Sequence, residues 1–241
     1  MNEMKFAGRI AGRENREKIA AAIYRIFWIY VLCGVAGFLV ESVWCWIDFQ
    51  EFTSRTSNLF FPISCVWGVG GVLLYLVTRK NRWNHGAYIF VKCIVFGAAF
   101  EFLCGYLGER LLEVTFWDYS GMPLHLGKYI NIPFCLVWGL MGLFWVRAAY
   151  PFLGRKLEKP VKENHRLAMN LFLVFMVTSQ LVTGTALLRM HQRQEGYAAQ
   201  NRVEQVLDVC FTDQRLQQFF PKMKSTVTGE KIYQGVSMSS R

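Results

Sequence analysis

Charge is what this chain of 241 residues has least of. Only 18% of its residues are Asp, Glu, Lys or Arg, against about a quarter in soluble domains, and that shortage argues against a soluble globular domain. Histidine is scarce and scattered, at His85, His125, His165 and His191. There is no CxxC and no Cys/His pair with metal-ligand spacing, so neither a metal site nor a metal cofactor has support. GxxxxGK[ST] and GxSxG are both missing, which excludes P-loop nucleotide hydrolysis and hydrolase chemistry of that kind on this chain. No nucleic-acid recognition motif is present either, although the net charge is +10. Of the seven cysteines, Cys33, Cys45, Cys65, Cys93, Cys104 and Cys135 lie inside apolar runs, where they act as small fillers rather than as a disulfide framework.

What is abundant is apolar and blocky. Hydrophobic residues make up 53% of the chain and aromatics 16%. Five stretches are nearly free of interior charge: Ala21 to Trp46, Leu59 to Val77, Gly86 to Val114, Ile132 to Leu153 and Ala168 to Leu188. Each is about as long as the roughly 20 residues that cross a hydrocarbon core, and only helices or closed barrels are stable there. The sequence therefore predicts an all-α, polytopic membrane helix bundle of about five transmembrane helices with a short amphipathic helical tail. The first stretch is too long for a signal-peptide core and reads as a retained span. The organisation expected is a basic N-terminal segment over 1–20, a transmembrane domain over 21–189, a helical tail over 190–224 and a disordered C-terminus over 225–241.

Lys and Arg in short flanks resist translocation, which gives an orientation. Lys5, Arg9, Arg13, Arg16 and Lys18 precede the first span, Arg79, Lys80 and Arg82 follow the second, and Arg155, Lys156, Lys159, Lys162 and Arg166 follow the fourth. The intervening connections hold Arg55 alone and Lys128 alone. The alternation predicts a multi-pass cell-membrane protein with a cytoplasmic N-terminus and an extracytoplasmic C-terminal tail. The positive charge is mostly this topological signal, so the partner it implies is the lipid bilayer, not nucleic acid.

Carboxylates inside spans carry functional information, because an ionised acid near a helix centre costs on the order of 3 kcal/mol on insertion scales and needs partners. Gly34, Gly37 and Glu41 share one face of the first span. Gly97, Glu101, Gly105, Gly108 and Glu109 repeat the device along the third. The functional reading is a polar cavity between the first and third helices, near the outer surface, lined by Glu41, Glu101 and Glu109. The outer connection adds Trp117, Asp118, Tyr119, Ser120 and His125, and Arg110 is a candidate counter-ion for Asp118 or Glu113. The bland alternative is that the glycines are packing notches and each Glu is bonded to a neighbouring helix.

The order Gly37…Glu41, Asn58-Leu-Phe-Phe-Pro62-Ile63, Trp67-Gly68, Glu101…Gly105…Glu109, Trp117-Asp118-Tyr119-Ser120…Pro123…Gly127 and Trp138-Gly139 resembles the ABC-transporter type IV (CmpB-like) membrane proteins of bacteria. The resemblance covers about Phe27 to Leu188, and WDYS followed by Pro and Gly is its most specific part. It implies a permease-like protein working with a separate ATPase subunit. Against the family's pattern, Ser57-Asn58-Leu59 stands for Asn-Arg-Gly and Phe61-Pro62 for Gly-Pro. His125 stands for an Asn, and Thr178-Ser179-Gln180 for an acidic residue in the fifth span.

In the tail, Val203, Val206, Leu207 and Cys210 mark one apolar helix face, with Arg202, Glu204, Gln205 and Asp208 opposite. Thr212 can cap a second short helix carrying Leu216, Phe219 and Phe220, stopped by Pro221. This pair is expected to dock on the outer mouth of the bundle or lie in the interface. Three function classes stay open: a permease-like component for a small solute or lipid, an intramembrane enzyme using carboxylates with Asp118 or His125 as acid and base, and a non-catalytic assembly or regulatory protein. The sequence leaves the oligomeric state and the substrate unassigned.

Overall fold

The structure is a computed structural model that describes residues 2–49, 54–80, 85–112, 114–115, 117–157, 163–221 and 223–225. It is a helical bundle: α1 (Asn2–Phe49), α2 (Cys65–Thr78), α3 (Gly86–Leu112), α4 (Ile132–Phe144) continued through a π-helical turn (Trp145–Ala149) into α5 (Tyr150–Leu157), and α6 (Glu163–Gln194). Neither α1, α3 nor α6 contains a proline to interrupt it. Four helical segments are long and apolar enough to cross a membrane: Glu14–Ile47, Gly86–Leu111, Ile132–Gly154 and His165–Gln194. The expected C-terminal disorder falls almost wholly on residues 226–241, which lie outside the described residues.

The second expected span differs. Helix α2 has 14 residues, and residues 54–64 before it are not helical. Pro62 disfavours helix at Phe61, and polar side chains claim the backbone instead. The Asn58 carboxamide accepts from the N–H groups of Phe60 and Phe61 at 2.8 and 3.1 Å. Ser57 donates its hydroxyl to the Ile63 carbonyl and accepts from the Cys65 N–H. The same segment is stitched to α6: Asn58 donates to Ser179 and Gln180, Leu59 N–H to Thr183. Irregular backbone at membrane depth needs this kind of satisfaction from surrounding protein.

Packing organises the helices as two antiparallel hairpins, α1 with α2 and α3 with α4. The main core joins them through Ile29, Leu74, Tyr75, Ile89, Cys93, Phe100 and Trp138. Helix α6 seals α1 and the 54–64 segment through Phe27, Val31, Ile63 and Met176. At the same end lie a two-residue ladder of β2 (His125–Leu126) with β3 (Ile130–Asn131), turned at Gly127 with φ 65°, and one of β1 (Val114–Thr115) with β4 (Lys224–Ser225). Helices α7 (Arg202–Cys210) and α8 (Asp213–Phe219) cover that end. Their first turns are capped by Asn201 and Thr212, which accept from the N–H groups of Glu204 and Arg215. Leu216, Phe220 and Met223 bury against Leu59, Ala186, Leu187 and Met190.

Candidate functional site

Glycine on a helix face leaves a notch one side chain deep, and in both hairpins a tryptophan fills it. A Cβ on Gly37 would fall on the Trp67 side chain, and one on Gly97 on the Trp138 side chain. Each Glu stands four residues beyond its glycine and therefore on the same face, where the seated indole reaches it. Trp67 Nε1 donates to Glu41 Oε1 at 2.5 Å, and Trp138 Nε1 donates to Glu101 Oε1 at 3.0 Å.

The two carboxylates differ in their second oxygen. Glu41 Oε2 accepts from Arg55 Nε at 2.9 Å, whereas Glu101 Oε2 is buried with no hydrogen-bond partner among the described residues. Both acids bear on Tyr119, whose ring stacks on Phe134 at 5.2 Å. Burial pushes the Tyr119 phenol above its ordinary range, and the negative charges of Glu101 and Glu41 add to the rise while the Arg55 cation opposes it. The carboxylates of both hairpins are thus within electrostatic reach of this one phenol. Beside it, the Trp117 Nε1 is also buried without a partner among the described residues.

The other expected site residues are arranged differently. Glu109 is not with Glu41 and Glu101. It forms its own cluster, accepting from Thr115 at 2.7 Å and Tyr129 at 2.6 Å and pairing with Lys128 at 2.5 Å. The hydrogen bond to Glu109 pushes the Tyr129 phenol up to about 12. Asp118, Ser120 and His125 are exposed: Asp118 Oδ1 accepts from the Ser120 N–H, and His125 Nδ1 contacts the Met122 carbonyl at 2.8 Å. Arg110 lies over the Tyr106 ring at 5.5 Å, and Glu113, its other suggested partner, lies outside the described residues. Of the packing glycines, Gly34 receives Ile63 and Gly105 receives Tyr129, while Gly108 is half-buried. The glycine faces of α1 and α3 do not meet each other, because each is filled by an aromatic or aliphatic side chain from the segment that follows it.

Sequence reasoning missed Arg55, Trp67 and Trp138 as site residues. The signal was present as the recurrence of Trp-Gly after each Gly…Glu, but a hydrogen bond between helices is invisible to spacing within one helix.

The match to known families bears on residues 28–184, for which the profile of a family described as "Putative ABC-transporter type IV" fits. The chain belongs to this CmpB-like family. No curated protein and no solved structure matches it. The matched region runs from within the apolar part of α1 into α6, so it contains both Gly–Trp–Glu units and leaves out α7 and α8. Two departures from the CmpB-like pattern touch each other. Asn58, at the position of the family's Arg, donates to Ser179 and Gln180, where an acid was expected. Neutral hydrogen bonds of this kind are cheaper to hold in a low-dielectric interior than an ion pair.

Proposed function

We propose that this CmpB-like protein is the membrane-spanning component of a transport assembly, with Glu41, Glu101 and Tyr119 forming an outward-side site for a small solute or a lipid headgroup. The Lys/Arg alternation supports placing that end of the bundle outside. The opposite, basic end then faces the cytoplasm, where a separate ATPase subunit would dock. One observation carries the reading. The second oxygen of Glu101 is buried with no hydrogen-bond partner among the described residues, an arrangement costing about 1–3 kcal/mol that packing alone does not require, and the charges of Glu101 and Glu41 both reach Tyr119. Intramembrane ionisable groups held in this way mark functional sites.

Glu101→Gln tests it. The amide oxygen still accepts the Trp138 N–H, so expression and melting temperature should stay close to wild type, while the phenotype of deleting the gene should not be complemented. Full complementation would assign the carboxylates to assembly instead.

A further inference from the structure

The two hairpins repeat one pattern of residues and contacts. Cys93, Gly97 and Glu101 follow Cys33, Gly37 and Glu41 at one constant offset, and Pro133, Trp138, Gly139 and Gly142 follow Pro62, Trp67, Gly68 and Gly71 at another. The contacts repeat as well. Gly68 meets Tyr30 and Gly139 meets Phe90. Gly71 meets Cys33 and Gly142 meets Cys93. Ile29 and Ile89, at the α1–α3 offset, are both 1% exposed.

One feature of the connections also recurs, with a different outcome in each unit. Each unit carries a cation three residues before an almost fully buried asparagine: Arg55 before Asn58, Lys128 before Asn131. In the first unit the cation sits on the unit's own carboxylate, Arg55 on Glu41. In the second it is diverted two turns along α3 to Glu109, which has Phe49 as its counterpart. Glu101 keeps its indole bond, and its second oxygen is buried with no hydrogen-bond partner among the described residues. The first unit therefore displays what the second lacks, a planar cation donating N–H to the carboxylate oxygen that the indole leaves free.

We infer that Glu101 binds an organic cation with N–H donors, a guanidinium or primary ammonium group, in the place that Arg55 takes on Glu41. The inference rests on the proposed site and narrows its substrate class. Charge-assisted N–H to carboxylate bonds supply both affinity and geometry. Such a group can come from a soluble amine or from a phosphatidylethanolamine headgroup.

The test is thermal unfolding of the full chain in phosphatidylglycerol nanodiscs at fixed ionic strength. Agmatine at about ten times its Kd should raise the midpoint by about 3–6 °C, or adding phosphatidylethanolamine to the discs should do so. The first outcome names a soluble amine, the second the headgroup. Choline and sodium should not reproduce the rise, and Glu101→Gln should abolish it. In wild-type protein a hydrophobic carbodiimide should modify Glu101 in preference to Arg55-paired Glu41, and agmatine or phosphatidylethanolamine should protect it, a measurement that needs no variant to fold. Equal rises with choline, or a rise retained in Glu101→Gln, or unprotected labelling, would overturn the cation. Loss of complementation by Glu101→Gln without any amine effect would leave the transport reading standing and reject this one.

Discussion

Gly97 and Gly184 are both helical glycines with opposite roles. A Cβ on Gly97 would press into Trp138, while nothing lies within 4 Å of one on Gly184. Gly97→Ala should therefore destabilise the protein by about 1–3 kcal/mol, the usual range for overpacking. Gly184→Ala should stabilise it by about 0.5–1 kcal/mol through backbone entropy alone. Melting temperatures in one detergent compare them directly, and a Gly97→Ala protein melting like wild type would mean that the indole is not seated in the notch. At this scale the sequence shows which residues share a helix face, since the Gly-to-Glu spacing follows from the helical period. It cannot show what fills that face. A bulky residue at Gly105 would collide with Tyr129 rather than with α1, because the partner is chosen by the loop that returns to α4, which no periodicity encodes.

The tail shows how an element can be legible and its docking face not. The apolar face of α7 was expected to dock on the bundle or lie in the interface, yet Val203 and Val206 are 69% and 60% exposed, Cys210 is exposed and Leu207 is half-buried. The opposite face docks because α6 buries Arg189 to 3% exposure, and a buried guanidinium requires a carboxylate. Arg189 meets Asp208 through Nε and Nη2, both at 2.9 Å, and Arg193 bridges Asp208 to Asp213. The Arg189 hydrogen bonds hold the Asp208 carboxyl below its usual range. A carboxyl depressed in the folded state stabilises above its unfolded pKa, about 3.9, and loses that contribution as pH falls through the folded value. Docking of α7 should thus be constant near neutrality and weaken below about pH 4. Hydrogen exchange of the α7 amides, corrected for intrinsic rates, measures it. Asp208→Asn should raise their exchange roughly tenfold at pH 7, between the exposed and buried ion-pair cases, and flatten the acid dependence. Protection unchanged by either acid or Asp208→Asn would show that the Leu216 and Phe220 contacts alone hold the tail.

Whether the chain crosses the bilayer four times or five turns on α2, and we propose five on the repeat of contacts between the two hairpins. Fourteen helical residues rise about 21 Å, short of a hydrocarbon core of about 30 Å. By length alone α2 is not a span. Yet Gly68 and Gly71 grip α1 through the positions where Gly139 and Gly142 grip α3, and α4 with its continuation does have spanning length. On this reading the matching contacts put α2 at the depth of α4, with the hydrogen-bonded 54–64 segment completing the crossing. The apolar run from Leu59 was readable in the sequence. Its departure from helix was not, because it depends on Asn58 finding Ser179 and Gln180 across more than a hundred residues of chain. Five crossings would place the two ends of the chain on opposite sides, and the basic flanks would choose which. A reporter fused after Lys162 should then read cytoplasm, while one fused to the C-terminus should read outside. If both read the same side, α2 is re-entrant, the two hairpins are not equivalent in the membrane, and Glu41 and Glu101 cannot serve one outward-facing site.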